Sequence, residues 1–329
     1  MSGFWRGRKV LVTGACGFIG SRTLQALAGL GARVTGAVLP GEERRPELAQ
    51  PGVRVCAADL TRPADCEEAC RGQDAVLNFA HEDGSAAFKK SRPAYIFRQN
   101  LLITLNLIEA ACRCGVERFL VTSSAEVYPC DSPSPTAEWY AFANGMDRLD
   151  DGYVWSKRMS EVAARLFAEE RGIKIAIARP NNVYGPGDSF EPGRGRVVPT
   201  FIRSIVEDAN GLTIWGDGEQ VRTFLYIDDL VRGVLDLVEK YAVGEPVNLG
   251  GCETITIKRL AEKIARLAGR DAAIVCDSSK PAGPAVRIPD LETARRVLGF
   301  QPQVPLETGL RLTLKDYLER HAGVYARKT

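Results

Sequence analysis

Histidine is nearly absent from this chain: His81 and His321 are the only two in 329 residues. A Ser-His-Asp hydrolase would need one of them, and no G-x-S-x-G nucleophile elbow accompanies either. Zinc-site spacing is missing too. The close pairs Cys66/Cys70 and Cys112/Cys114 have no second ligand pair at the right distance, so no metal is expected. Positive charge is not in excess, with 43 Lys+Arg against 41 Asp+Glu, which argues against a nucleic-acid partner. The opening stretch MSGFWRGRKVLVTGACGF holds only a short apolar run, below the length of a signal core or a membrane span. Nine cysteines, an odd number with no export signal, are expected as reduced thiols in a cytoplasmic protein. Internal repeats and low-complexity tracts are also lacking.

The chain does alternate short apolar runs with helical patterns. Lys9–Thr13, Arg33–Val38, Val53–Ala57, Ala75–Ala80, Arg118–Thr122 and Lys174–Ala178 read as strands. Ser21–Leu30, a long segment within Pro93–Cys114, and Tyr153 to Arg171 read as helices. Buried, non-alternating strands between helices predict an α/β fold, a doubly wound parallel sheet of the Rossmann type. After Arg179-Pro180 the sequence becomes rich in Gly, Pro and Asn, with a helix expected near 199–209, a strand at Leu212–Trp215 and a helix at 229–240. The expected division is a dinucleotide-binding domain over 1–180 with a return at about 223–250. Residues 181–222 and 251–329 then form a smaller mixed α/β C-terminal substrate domain, with the substrate in the cleft beneath it.

The first strand runs into Thr13-Gly14-Ala15-Cys16-Gly17-Phe18-Ile19-Gly20. Glycines at 14, 17 and 20 let the turn tighten and let backbone amides approach a pyrophosphate. The positive N-terminal end of the next helix faces those phosphates. Three glycines alone are weak evidence; between a first strand and an amphipathic helix they are specific.

One expected residue is missing. A dinucleotide fold usually places an acid at the end of the second strand to hold the ribose hydroxyls. Here the strand ends Val38-Leu39-Pro40, followed by Glu42, Glu43, Arg44 and Arg45. With no carboxylate to repel a 2′-phosphate, and Arg44 nearby, the cofactor is expected to be NAD or NADP, with the balance toward NADP.

Tyr153 and Lys157 stand at i and i+4, one helical turn apart on one face. A free phenol is about one part in a thousand ionised at neutral pH. A neighbouring cation favours the phenolate and makes a base that can take a hydroxyl proton as hydride leaves the same carbon. Such a pair is commonplace alone. Thirty residues beyond a strand ending Thr122-Ser123-Ser124, in a chain with the glycine turn, it is specific.

Together these pieces resemble the extended short-chain dehydrogenases of the nucleotide-sugar epimerase/dehydratase family, nearly end to end. The matching segments are TGACGFIG (13–20), AADL (57–60), Asn78-Phe79-Ala80-His81, Asn100, SSAEVY (123–128), YVWSK (153–157), RPNNVYGPG (179–187), WGDGEQVRTFLYIDDL (215–230), VNLG (247–250) and LGFQP (298–302). The resemblance implies cofactor contacts at Gly14, Gly17, Phe18, Ile19, Gly20, Phe79, Ala80 and Pro180, with Asp59 and Leu60 flanking the adenine. It implies that Asn100 supports the tyrosine–lysine pair, that Ser124 hydrogen-bonds the substrate hydroxyl, and that Tyr153 is the base. Lys157 would also hold the nicotinamide ribose. Asn182 and Arg222, and more loosely Arg287, match positions that contact the diphosphate of a nucleotide-diphosphate sugar.

In this family the shared step oxidises the sugar, usually at carbon four. Return of hydride to the other face, loss of water, or loss of carbon dioxide then follows. Glu126 stands where dehydratases and decarboxylases keep a glutamate, yet Ala125 replaces the Asp that dehydratases often place before it. Reductases and epimerases of GDP-sugars resemble the region through Tyr128-Pro129 but carry cysteine at the Glu126 position. The expected function is an NAD(P)-dependent nucleotide-sugar epimerase or dehydratase. The alternatives are an NADPH-dependent 4-keto-deoxysugar reductase and a non-catalytic dinucleotide sensor or scaffold. The resemblance pairs the helices at 93–114 and 153–171 in a four-helix interface, implying a homodimer.

Overall fold

The computed structural model describes residues 3–43, 46–49, 51–84, 86–143, 150–192, 195–207, 211–280 and 283–325. Seven parallel strands form one sheet. In chain order these are β1 (Lys9–Thr13), β2 (Arg33–Val38), β3 (Val53–Ala57), β4 (Ala75–Asn78), β5 (Arg118–Thr122), β6 (Lys174–Pro180) and, after four short strands, β11 (Pro246–Leu249). Their spatial order is β11-β6-β5-β4-β1-β2-β3. The chain reverses direction across the sheet between β1 and β4, and at such a switch point α/β folds open a binding crevice.

Alternate strand residues serve opposite faces. Val10, Val12, Leu77 and Leu120 pack into one core cluster with α1 (Phe18–Gly29) and α7 (Ile227–Lys240). Leu11, Val76, Phe119 and Val121 join the other, under α2 (Pro63–Cys70), α4 (Pro93–Arg113) and α5 (Gly152–Arg171). Both faces are therefore covered, as a doubly wound sheet requires. β3 departs from the expected buried strand. It is the sheet edge and most of its residues are exposed or half-exposed.

Several boundaries also differ from those the sequence suggests; β6 runs on to Pro180 and α7 begins at Ile227. α1 begins at Phe18, not Ser21, because the glycine turn leads straight into the helix. β4 stops at Asn78, because Thr13 Oγ1 captures the Phe79 and Ala80 amides, both at 3.1 Å. α5 starts at Gly152, where Asp151 accepts from the Val154 amide at 3.0 Å and caps the helix. It ends at Arg171 and is capped by Gly172, whose φ of 71° suits glycine.

Beyond β6 the chain builds small sheets: β7 (Val183–Tyr184) with β10 (Leu225–Tyr226), β8 (Leu212–Trp215) with β13 (Ile274–Asp277), and β9 (Val221–Thr223) between β12 (Thr254–Thr256) and β14 (Val286–Arg287). Helices α6 (Val197–Glu207), α8 (Ile257–Leu267) and α10 (Leu306–Tyr325) pack around them through Ile202, Ile205, Leu260, Ile264, Leu310 and Tyr317. Among the described residues no helix is long and apolar enough to cross a membrane.

Candidate active site

Two adjoining cavities open at the carboxyl end of the sheet. The first, about 500 Å³, is lined by the glycine turn, by Asp59 and Leu60 after β3, and by Phe79 and Ala80 after β4. At two of its glycines the turn has no room for a side chain. Gly14 has φ of 60°, and a Cβ there would lie 3.0 Å from the Phe79 and Ala80 backbone; a Cβ on Gly20 would lie 2.1 Å from the Gly14 carbonyl oxygen. Gly17 caps α1 without a side-chain hydrogen bond, so the first amides of the helix are left to whatever fills the cleft. A backbone cradle of this kind fits a dinucleotide pyrophosphate.

Gly14, Gly17, Phe18, Ile19, Gly20, Asp59, Leu60, Phe79 and Ala80 thus share one cavity. Arg44 lies outside the described residues. Glu42, which the sequence did not single out, lines the same end of the cleft. Asp59 is held below the usual carboxylate range by hydrogen bonds from the Thr61 hydroxyl and amide.

The second cavity, about 360 Å³, contains Ser124, Glu126, Tyr153, Pro180 and Asn182. Tyr153 hydrogen-bonds Ser124, whose Oγ also accepts from the Glu126 amide at 3.1 Å. Burial pushes the phenol well above its ordinary range, and Asp83 and Glu126 push it further. Lys89 and the Ser124 hydrogen bond oppose them. Lys157 does not line the cavity; it donates to the Thr122 carbonyl at 2.8 Å, and burial brings it down to about 8. In this state burial outweighs Lys89, the cation that acts on the phenol, whereas the i, i+4 spacing points to Lys157 for that part.

Asn100 lines neither cavity. Its Nδ2 donates to the Glu82 carbonyl and to Ser156 Oγ, while its Oδ1 accepts from the Glu82 amide, tying the loop after β4 to α5. Asn182 holds a left-handed backbone, φ 43°, and donates to the Thr223 carbonyl at 2.8 Å. Arg222 and Arg287 also line neither cavity, but they face each other in register across β9 and β14. Burial, with Arg287 alongside, lowers Arg222 to about 10. Like charges opposite one another on paired strands are unfavourable unless an anion joins them.

Below the site, buried Arg179 pairs with buried Glu161 through Nε at 2.8 Å and Nη2 at 2.5 Å, and Ser123 donates to the same carboxylate. This pair fixes the strand end that carries Ser124.

Sequence reasoning missed a cluster on the cavity wall. Lys89, on the short α3 (Ala86–Ser91), lies 3.0 Å from both Asp83 and Glu126 and 3.7 Å from the centre of the Tyr153 ring. Arg196 reaches toward Asp83 at 3.9 Å and Asp188 at 3.5 Å, and lines both cavities. No spacing rule brings these residues together; tertiary folding alone does.

A glycine-cradled cleft beside a Ser–Tyr–Lys constellation defines a nucleotide-dependent oxidoreductase site on a Rossmann sheet. Residues 10–250 match the NAD dependent epimerase/dehydratase family, and the chain belongs to that family. It is 38% identical over 321 residues to a dTDP-4-dehydro-6-deoxy-D-allose reductase of Streptomyces bikiniensis, covering 94% of this chain and 96% of that one. A putative GDP-L-fucose synthase of Oryza sativa is 31% identical, with 96% and 88% covered. Among solved structures, a dTDP-glucose 4,6-dehydratase of Streptomyces venezuelae with NAD bound superposes with TM-score 0.83 at 26% identity, covering 96% of this chain and 98% of that one. The chain is accordingly an NAD(P)-dependent enzyme of the nucleotide-sugar epimerase, dehydratase and reductase class.

Proposed function

We propose that this member runs the family's hydride chemistry as a net reduction, turning a nucleotide-diphosphate 4-keto-6-deoxysugar into the corresponding alcohol with NADPH. The observation that carries this reading is the pairing of Glu126 with Lys89, at 3.0 and 3.2 Å. Elimination of water needs a base beside the new ketone, and here that carboxylate is committed to an ammonium ion. Reduction needs only a proton donor and a hydride. The similarity to a dTDP-4-keto sugar reductase supports the same direction.

The cofactor supplies the hydride when bound in the glycine-cradled cleft. Tyr153 gives its proton to the carbonyl oxygen, Ser124 orients that oxygen, and Lys157 remains beneath to recharge the phenol and hold the ribose. Pro180, which lines the neighbouring cavity, would meet the nicotinamide end. Arg222 and Arg287, with Asn182, take the diphosphate. Residues 1–180 with about 223–250 act as the dinucleotide unit, and 181–222 with 251–329 as the sugar-nucleotide unit. α4 and α5 form the contact of a homodimer, and the protein works in the cytoplasm.

The test is NADPH consumption with a panel of dTDP- and GDP-linked 4-keto-6-deoxyhexoses. One cofactor should be oxidised per sugar. Interconversion of sugar epimers, or loss of water from a dTDP-hexose, without net cofactor use would replace this reading.

A further inference from the structure

Lys89 sits at the centre of the acid–base cluster although no motif marks it. Its side chain is only 14% exposed, and its ammonium contacts Asp83 Oδ1 at 3.0 Å, Glu126 at 3.0 and 3.2 Å, and the face of the Tyr153 ring at 3.7 Å. We propose that Lys89 is a positioning residue for the reaction: clamped on the Tyr153 ring by Asp83 and Glu126, it strengthens the phenol as an acid and keeps Glu126 out of proton chemistry. This rests on Tyr153 being the proton donor.

Every charged group that faces Tyr153 leaves this task to Lys89. Asp83 and Glu126 are anions and oppose ionisation of the phenol. His81 is kept toward its neutral form by burial, and its Nδ1 donates to the Phe79 carbonyl. Arg196 is directed at Asp83 and Asp188. Lys157 is pinned to Thr122, with Nζ 5.6 Å from the ring centre. Lys89 is therefore the nearest cation to the ring among the described residues. Burial opposes its charge, yet Glu126, Tyr153 and Asp83 together hold it well above the usual lysine range. Without it, two carboxylates would stand beside a phenol that must become an anion each time it gives up its proton.

In the reductive step hydride passes from NADPH to the sugar carbon, and the phenol proton passes to the carbonyl oxygen, leaving NADP+ and a phenolate. In reverse the phenolate takes the hydroxyl proton as hydride returns. The test follows kcat/KM against pH for NADP+-driven oxidation of a dTDP-6-deoxyhexose by wild type, Lys89→Met and Lys89→Arg. The phenolate is the active form in this direction, so the rate climbs with pH until ionisation is complete. Lys89→Met should move that plateau up by about one pH unit or more, with a loss of about tenfold on the rising limb. Lys89→Arg keeps the charge and should stay within about threefold of wild type. A merely structural lysine would lower the rate equally at every pH. A Lys89→Met plateau at the wild-type pH overturns the proposal, as does an arginine variant no better than methionine.

Lys89→Gln is a second neutral variant if the methionine form does not fold. Carbon-13 NMR of Cζ-labelled tyrosine with NADP+ added, assigned through Tyr153→Phe, reads the same ordering without any sugar. Coincident wild-type and Lys89→Met titrations of Tyr153 also overturn it. If the NMR ordering holds while no nucleotide sugar is turned over, the proposed function fails and the role of Lys89 stands.

Discussion

Lys157 Nζ stands 5.6 Å from the centre of the Tyr153 ring and donates to the Thr122 carbonyl at 2.8 Å. The two residues share a helix face, yet their heads do not meet directly. Both instead hold the end of β5: Lys157 bonds Thr122 and Tyr153 bonds Ser124, two residues that line the cavity.

Tyr153→Phe should abolish turnover while leaving cofactor affinity nearly unchanged. The ring would stay packed, because Tyr153 is almost fully buried, and only the proton-carrying oxygen would go. General acid–base catalysis is worth about 100-fold or more. Steady-state rates and calorimetric titration of the cofactor, on wild type and variant, check both halves. Retention of more than about a tenth of the activity removes Tyr153 from the role.

NADP should bind at least as well as NAD. β2 ends at Val38 and Leu39 follows it, without the acid that normally holds the ribose hydroxyls. Glu42, in the loop that follows β2, is a carboxylate that the folded chain brings into this cleft beside Asp59, and it is placed to turn the preference. Calorimetry with both cofactors decides. An NAD preference above about tenfold, about 1.4 kcal/mol, would show that Glu42 has taken over the missing acid's task.

Much of the fold was legible because its strands are short apolar runs between amphipathic helices. β1, β2, β3 and β5 lie where the sequence places them. The edge position of β3 was not legible, since strand order is a long-range property. The end of β4 depends on one hydroxyl from β1, Thr13, at a separation that no local pattern encodes. The glycine turn and the Tyr153/Lys157 pair could be found because sequence neighbours make them. Glu126 could be picked out through the SSAEVY segment, but Asp83 and Lys89 are ordinary charges in sequence, and only folding brings them to Glu126 and Tyr153.

The buried lysine carries a pH signature. Burial lowers Lys157 to about 8, below the ordinary value of about 10.4. Between those values the unfolded chain holds a proton that the folded protein has released, so stability rises with pH across the window. Wild type should therefore gain stability relative to Lys157→Met as pH goes from about 7 to about 9.5. Urea midpoints of both proteins at several pH values supply the comparison. A constant difference would mean that Lys157 titrates as it does in water.

Glu126→Gln separates the possible fates of the sugar. The side chain keeps its size and one acceptor oxygen but loses its charge, and with it the ion pair to Lys89. If the enzyme eliminated water, this carboxylate would be the base that removes the proton next to the ketone. Turnover would then fall by about 100-fold or more, with reduced nicotinamide accumulating and stalling. A reductase asks only for hydride and the Tyr153 proton. Asp83 still holds Lys89 at 3.0 Å, so the cation stays on the phenol and the loss should be less than about tenfold. Stopped-flow absorbance of the nicotinamide, with dTDP-linked 4-keto-6-deoxyhexose and with dTDP-glucose, distinguishes the cases in one instrument. Smooth multiple turnover of the keto sugar by Glu126→Gln, with no reaction of dTDP-glucose in either protein, is the expected outcome. A stalled burst of reduced cofactor from dTDP-glucose would instead make Glu126 a base and this enzyme a dehydratase.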